Sequence, residues 1–599
     1  MEIFKMGLTL KIATIVIIYG AVSFFNVDGV NHRTCTFIPC AHATNSQVAG
    51  YRIGFTAPFN KVFLDKPRNF NGKMIEKTSI SMAKNEYEAT QMVIFPERDV
   101  KSVSISVTDL MQKKTGSIIS KKDIEINLVG YVYLKWPEVG KSRSGWHPDP
   151  LLPNHKIDLE KNVLRPVLIT VKTTDKTKPG LYSGKIQIKA QGKNTKLIPF
   201  NVKVWNFELP KVSKFKSSSL LGWGKTRGPW PVKFGYNWPK WEEQKDRFLD
   251  IAELGFKNRL PPVVFLANGL RSSNWKEQGS TDYGFPTHDR SKDRSTGIIS
   301  RKFNPRRTDE LIDYMLSKGA NHFVIAVTSD IYKYPDLAEE REKLLLEYLK
   351  DYTSHLRKRG LLDKTYVYNV DEPWGEAVVN AKKIYKLIKK EIGEDVKIMQ
   401  NTNQNNGKIL ATFLDHFDAI DINLGFYDIT KSDSYRKKHP EKFKDFWWNV
   451  NVWPRDRPNL FIEYPLVDAR IIGPMSYKFN VNGFEYWDLF VSRGIIGYKP
   501  LAHDEFKIGW RINKGSLDGT LIYPADGYKV FSSLRFESLR DGIEDIEFLY
   551  LLEEHNPNHA LLDVPIVQNI KQYSESQDEI LNYREKIGEL LNEVANRKR

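Results

Sequence analysis

The sequence predicts a multidomain chain of β and α/β parts: an N-terminal β-sandwich, a (β/α)8 TIM-type barrel, and a C-terminal helical segment closing the barrel. Three observations predict it. Between residues 50 and 209, short segments with period-2 alternation recur. From 217 to 527, strand and helix patterns alternate eight times. From 528 to 599 the pattern is helical throughout. A chain of 599 residues exceeds one ordinary core, and 41% hydrophobic with 12% aromatic residues is a globular composition.

In chain order, MEIFKMGLTLKIATIVIIYGAVSFF reads as a leader, with lysines before an apolar run and an A-x-A site at Ala41–Ala43. Residues 1–43 are therefore expected to be removed or lipidated, with FIPC at 37–40 suggesting a lipid anchor on Cys40. An uncleaved membrane helix is the alternative, and an exported protein is expected in either of the first two cases. No later stretch is apolar for long enough to cross a bilayer. Both cysteines, Cys35 and Cys40, fall in this leader, which excludes thiol chemistry, disulfides and cysteine-bound zinc from the body.

Sandwich strands are expected at SISM, EATQMVIF, VSISV, VLITVKT, YSGKIQIKA and LIPFNVKVW, broken by turns such as DKTKPG at 175–180. The polar stretch PKVSKFKSSS (210–219) reads as a linker. The barrel strands are SSSLLGW (217–223), RLPPVVF (259–265), HFVIAVTS (322–329), TYVYNVDE (365–372), VKIMQNTN (396–403), FDAIDIN (417–423), FWWNVNVW (446–453) and NGFEYWDL (482–489). Helices such as EREKLLLEYLKDYTSHLRKRG, with its glycine stop, separate them. A doubly wound sheet lacks support because no G-x-G-x-x-G follows the first strand.

In such a barrel, function gathers at the C-terminal strand ends. The fourth strand ends on Asp371 and Glu372, and Pro373 stops it, freeing both carboxylates to project into the mouth. Other strand ends carry Trp223, Asn401, Asn403, Asn423, Trp447, Trp448, Glu485, Tyr486 and Trp487. Aromatic faces and amide or carboxylate groups around one rim suit a sugar ring, whose C–H faces stack and whose hydroxyls need hydrogen bonds. Adjacent carboxylates cannot easily flank a scissile bond as acid and nucleophile ~5 to 5.5 Å apart. Either Glu463 or Glu485 supplies the second function, or the substrate supplies its own nucleophile through a 2-acetamido oxygen.

The segments NEYEATQMVIFP (85–96), YVYNVDEP (366–373), RPNLFIEYPLVDARI (457–471), NGFEYWDL (482–489), DGTLIYP (518–524) and SLRFESLRDGIEDIEFLYLLEE (533–554) resemble glycoside hydrolase family 123 in the right order. The resemblance implies a β-sandwich before a (β/α)8 barrel, and β-N-acetylgalactosaminidase activity by substrate-assisted retention. It implies Glu372 as general acid/base and Asp371 as the residue polarising the acetamido group. Trp447, Trp448 and Trp487 match its sugar-binding aromatics, and Tyr368 and Asn369 stand where many members have histidine or serine, which makes Asn369 a candidate hydroxyl ligand.

The expected partner is a glycan. A formal charge of +17 admits an anionic or sulfated one, and no basic run with interleaved aromatics reads as a nucleic-acid module. No H-E-x-x-H or EF-hand pattern is present, so neither metal nor cofactor is expected. RDGIEDIEF reads as structural, with Glu537 and Arg540 pairing along a helix whose buried face holds Ile543, Ile546 and Leu549. Two further readings are a two-carboxylate retaining glycosidase on sugars lacking the acetamido group, and a non-catalytic glycan-binding protein on the same scaffold.

Overall fold

A computed structural model describes residues 50–597, except 65–69, 71, 76, 140–141, 220–240, most of 263–300, 304, 327–328, 333–337, 404–415, most of 428–444, 492–494, 498–500, 503–505 and 527–528. The leader, Cys35, Cys40 and Trp223 lie outside the described residues. No helix among the described residues is long and apolar enough to cross a membrane.

The alternating segments form two sheets of seven strands each. Strand Lys196–Glu208 shows why: Ile198, Phe200, Val202 and Val204 point into the core, while Leu197 and Pro199 stay exposed on the other face. One sheet runs in the order Thr78–Lys84, Lys196–Glu208, Gly180–Lys189, Val100–Val107, Lys156–Leu159, with two short strands at 110–111 and 118–119. The other runs Tyr51–Thr56, Tyr87–Pro96, Arg165–Lys172, Ile124–Leu134, and then takes in Lys507–Ile512 and Ile495–Ile496 from far downstream, while Gly145–Leu152 also pairs with Ile124–Leu134. Lys507–Ile512 lies parallel to Ile124–Leu134. The sandwich expected to end at 209 is therefore completed by a strand from the following region.

That following region centres on a seven-stranded parallel sheet: β1 (Lys216–Ser219), β2 (Phe323–Ala326), β3 (Thr365–Tyr368), β4 (Lys397–Thr402), β5 (Ala419–Asn423), β6 (Asp445–Val450) and β7 (Gly483–Tyr486). Its order is β1-β7-β6-β5-β4-β3-β2, all neighbours parallel. Seven of the eight expected strands are thus in this sheet. The remaining one, RLPPVVF, is described only as far as Pro262, which bridges Ser219 in parallel. Between that bridge and β2 the described sheet is open, so the described residues form a partial barrel rather than a closed (β/α)8 ring. The stretch read as a linker already contains β1: Phe215 and Ser217 to Ser219 are buried. It is the described part of the expected strand SSSLLGW (217–223), which starts one residue earlier, at Lys216.

Helix Ala338–Lys358 buries Arg341, Leu344, Leu345, Tyr348, Leu349, Tyr352, Thr353 and Leu356, the i, i+3, i+4 stripe of a helix lying on a sheet. Its stop, Gly360, adopts φ +66°, a conformation that costs glycine little.

The C-terminal part departs from expectation. Helix Leu534–His555 is capped by Ser533, whose Oγ accepts from the Phe536 N–H at 3.1 Å, and it is buried on nearly every side rather than along one stripe. It crosses helix Leu466–Lys478 at a glycine contact. A Cβ on Gly542 would stand 2.1 Å from the Arg470 carbonyl oxygen, and one on Gly473 only 1.7 Å from that of Gly542. Its charges are matched by buried partners. Arg470 forks onto Asp545 at 2.8 and 3.0 Å, Arg540 pairs with Glu537 and Asp541, and Arg584 meets Glu86, Glu88 and Asp545. The last helix, Gln577–Arg597, packs on the sandwich strand Lys196–Glu208, where Glu589 accepts from Trp205 Nε1 at 3.0 Å. The tail therefore joins sandwich to parallel sheet instead of simply closing the barrel.

Candidate functional site

The inner face of the parallel sheet is built in layers. Lowest, toward the strand starts, Trp447, Tyr366, Tyr368, Val324, Met399 and Ala419 form one cluster. The Trp447 indole lies over Gly483, where an added Cβ would meet it at 2.2 Å. His322 meets that indole edge-on, with ring centroids 4.9 Å apart, and burial followed by the nearby Lys216 charge lowers its pKa to about 3. Below it, Lys216 and the Tyr366 hydroxyl both bind Asp445.

Above this plug the sequence of β3 runs out into Asn369, Val370, Asp371 and Glu372. The Asn369 N–H still donates to the Met399 carbonyl at 3.0 Å, and Pro373 then ends the run. Glu372 has φ +40°, an unfavourable backbone for a residue with a side chain. Asn401 at the end of β4 holds this turn from both sides. Its Oδ1 accepts from the Glu372 N–H at 2.7 Å and its Nδ2 donates to Asp371 Oδ1 at 2.7 Å. Both carboxylates keep solvent-accessible surface, yet the surrounding protein withholds enough water to raise both pKa values. For Asp371 the rise comes from desolvation, opposed by the Asn401 hydrogen bond. For Glu372 it comes from desolvation and then the Asp371 charge, opposed by a hydrogen bond from Asn403. Two residues further, Trp374 is 77% exposed.

Between plug and rim lie two more acids, Asp421 on β5 and Glu485 on β7. Desolvation and the neighbouring Asp371 and Glu372 charges push Asp421 up to about 7, against a hydrogen bond from Asn449. Glu485 rises well above the carboxylate range through desolvation and the Asp421 and Asp371 charges. The Tyr368 phenol feels all four carboxylates.

Other residues expected at the rim face elsewhere. Trp448 points to the outer layer, donating to Ser476 Oγ at 2.9 Å, and Trp447 is in the plug; both are wholly buried. They sit mid-strand, not at the strand end, which places them below the rim. Asn369 Nδ2 turns outward to the Ala381 carbonyl at 3.0 Å. Asn423 is consumed by the chain around it, donating to Asn449, Asn451 and the Trp453 carbonyl and accepting from Gly425. The Tyr486 hydroxyl accepts from the Gly519 N–H at 2.8 Å on the outer side. Trp487 is half-buried, its Nε1 donating to Asp518 at 2.9 Å. Glu463 accepts from the Glu138 N–H and Ser516 Oγ, and does not join the acids. Trp374, Tyr368, Asp421 and Asn449 were not singled out as binding residues. An aspartate between the two isoleucines of AIDIN is the signal that points to Asp421.

A separate cleft of about 830 Å³, between the sandwich and helix Trp241–Lys257, holds neither Asp371 nor Glu372, and its Lys257 and Lys318 pair with Glu125 and Glu253. Among the described residues no group of three or more His, Cys, Asp or Glu is arranged to hold a metal ion.

The family model for the glycoside hydrolase 123 catalytic domain matches residues 321–552, and that for the glycoside hydrolase 123 N-terminal domain matches 66–190, together more than half of the chain. The chain belongs to glycoside hydrolase family 123. It is accordingly a glycosidase. Among solved structures it is similar to a family 123 glycoside hydrolase from Clostridium perfringens, described for glycolipid glycan hydrolysis. The identity is 16%, with 91% of this chain and 98% of that chain covered and a TM-score of 0.63, which shows a shared fold. A family 5 xyloglucanase from Bacteroides ovatus (9% identity, 78% of this chain and 98% of that chain, TM-score 0.29) and a family 39 glycoside hydrolase from Bacteroides cellulosilyticus (10%, 78% and 81%, 0.33) carry no part of the reading. Comparison with curated proteins returns no match. In this family 123 chain the two matched regions correspond to most of the sandwich and to six of the seven strands, β2 to β7, of the sheet carrying Asp371 and Glu372.

Proposed function

We propose that this family 123 enzyme is an exported β-N-acetylgalactosaminidase that uses the substrate's own acetamido oxygen as nucleophile. In this reading Glu372 protonates the leaving glycosidic oxygen while Asp371 accepts from the acetamido N–H and orients its carbonyl toward C1. The oxygen attacks C1, the C1–O bond breaks, and the leaving group departs with the Glu372 proton. Glu372 then takes a proton from the water that opens the bicyclic oxazoline, with net retention.

The tandem carboxylates gripped by one asparagine carry the proposal. Asn401 fixes Asp371 and the Glu372 backbone together, so the pair acts from one side of a sugar and cannot flank it. The raised Glu372 pKa supports an acid that keeps its proton nearer neutral pH. Trp374, exposed beside the pair, offers a stacking face. The glycolipid glycans named for the Clostridium perfringens relative are one source of such sugars, and an anionic or sulfated glycan is another that the +17 charge favours. Closure of the partial barrel into eight strands, and lipidation at Cys40, belong to the same proposal.

The test is release of p-nitrophenol from the β-N-acetylgalactosaminide, the β-N-acetylglucosaminide and the plain β-galactoside by wild type and Glu372→Gln. Turnover of the galactosaminide alone, lost in the variant, is expected. Retained turnover in Glu372→Gln removes Glu372 from its role.

One observation favours a second reading, in which Glu485 is a nucleophile: its carboxylate lies on the inner face within electrostatic reach of Asp371. Burial among like charges keeps it protonated, however, which makes it a poor nucleophile. A covalent glycosyl-enzyme trapped on Glu485 would decide for this reading.

A further inference from the structure

Asp421, with Glu485 on the same inner face, presents an acceptor oxygen that no described residue fills. Asp421 is fully buried. Its Oδ2 accepts from Asn449 Nδ2 at 2.8 Å, and its Oδ1 has no hydrogen-bond partner. Glu485 is 4% exposed, and its carboxyl is desolvated beside the Asp421 and Asp371 charges. Tyr368, 6% exposed, lies within reach of both acids and of Asp371 and Glu372. Both acids are on the inner face, on β5 and β7, across from the β3 end that carries the tandem pair.

A buried carboxyl oxygen without a donor loses its hydration and gains nothing in return. Ordered water, an ion or a ligand completes such a group in a native fold, and this one stands within the field of the tandem pair. The Asp421 charge acts on Glu485, and two buried carboxyls that feel each other do not both ionise, so together they offer one acceptor and one group that both donates and accepts. Neighbouring hydroxyls on a sugar ring are the complement, since each donates one hydrogen bond and accepts another.

We propose that Asp421 and Glu485 are the hydroxyl-recognising residues of the sugar site, gripping ring hydroxyls on the C3–C4 side of the sugar and so setting which sugar is accepted. This rests on the reading of Asp371 and Glu372 given above. The two acids bind and position; they form no bond to C1. A site built to hydrogen-bond a hydroxyl rejects the analogue that lacks it, because its own buried groups are then left unpaired.

The experiment is a binding cycle with the full chain, by titration calorimetry. The ligands are the thiazoline mimic of the N-acetylgalactosamine intermediate and its 3-deoxy and 4-deoxy forms. They are titrated into wild type, Glu485→Gln and Asp421→Asn. Wild type is expected to lose about 10²-fold in affinity for at least one deoxy ligand. In the variant whose carboxyl holds that hydroxyl, the loss should shrink to about 3-fold or less. A merely structural role would weaken all three ligands equally and leave the deoxy penalty intact. That result overturns the proposal, as does a covalent adduct on Glu485 with a 2-fluoro glycoside. If wild type does not bind the parent thiazoline, the acetamido-assisted reading itself fails and this inference falls with it. Both substitutions keep side-chain size, and Glu485→Asp, which keeps the acid but withdraws its oxygens, provides the same cycle if Glu485→Gln does not fold.

Discussion

Asn401 is the residue through which the reading of the tandem pair can be broken with least disturbance elsewhere. Asn401→Ala removes two hydrogen bonds at once, one to the Asp371 carboxylate and one from the Glu372 N–H. A hydrogen bond to a charged group contributes about 1.5–3 kcal/mol, and a backbone N–H left without its partner costs about 1–3 kcal/mol. Glu372 at φ +40° adds strain of about 1–3 kcal/mol that the Asn401 contact helps hold in place. Water at the open rim replaces part of what is lost. We therefore expect a net loss of about 3–4 kcal/mol in transition-state stabilisation, a fall in kcat/KM of about 10²–10³-fold.

The pH profile gives the more specific signature. The Asn401 bond is what opposes desolvation at Asp371, so its removal raises the Asp371 pKa further. Because the mechanism needs Asp371 ionised, the acidic limb of kcat/KM should move to higher pH. The assay is hydrolysis of p-nitrophenyl β-N-acetylgalactosaminide across pH, beside thermal melting of both proteins. A variant whose kcat/KM stays within about 3-fold of wild type, with an unmoved acidic limb, would refute the reasoning.

Three further outcomes are expected. Gly542→Ala places a methyl 2.1 Å from the Arg470 carbonyl in a helix contact that cannot open locally, and should cost about 3 kcal/mol in urea unfolding. Asp468, held by a 3.1 Å hydrogen bond from Tyr573, has its pKa raised to about 7 by burial. Its contribution to stability is complete below about pH 4 and is lost as pH rises through 7, so Asp468→Asn should gain on the order of 2–3 kcal/mol at pH 8 and nothing at pH 4, read by melting at both. Trp374→Ala should raise KM about 3- to 10-fold and leave kcat unchanged if its exposed face only stacks on the sugar; an equal fall in kcat would give it a different role.

Beyond the serine-rich first strand, the strands of the parallel sheet were readable because they are short, largely apolar runs between helices, and the tandem carboxylates because a proline ends their run. The direction of single side chains was less readable. Trp447 and Trp448 are neighbours, so one must face inward and one outward, and both lie near the middle of Asp445–Val450. Counting from the strand's end would have assigned the rim to the residues around Trp453, which is 45% exposed. Asp421 escaped notice because every residue of its strand is buried, and a sequence pattern does not distinguish a buried acid awaiting a ligand from a misplaced one. The helix Leu534–His555 was read as structural, with Glu537 and Arg540 pairing along it, and that pair is present. The sequence did not show the cations that distant segments bring to its other acids, Arg470 to Asp545 and Arg259 to Glu544.

Those partners decide what the sandwich does for the site. Arg535 on the long helix is matched by Asp149 at 2.8 Å, and Arg584 by Glu86 and Glu88, all three acids contributed by the sandwich half. All five side chains are almost wholly buried. Removing one partner of such a pair leaves an uncompensated buried charge, at about 3–5 kcal/mol each, which is comparable to the whole stability of many domains. Arg535 also donates to the Leu460, Leu517 and Thr520 carbonyls. Leu517 and Thr520 bracket Asp518, the residue that receives the Trp487 Nε1. The sandwich, through Asp149 and Arg535, thus holds the loop that fixes Trp487 at the end of β7, two residues beyond Glu485. Residue 209 marks a change of sequence pattern and not a boundary of stability, and the end of β7 that carries Glu485 and Trp487 depends on residues more than three hundred positions upstream.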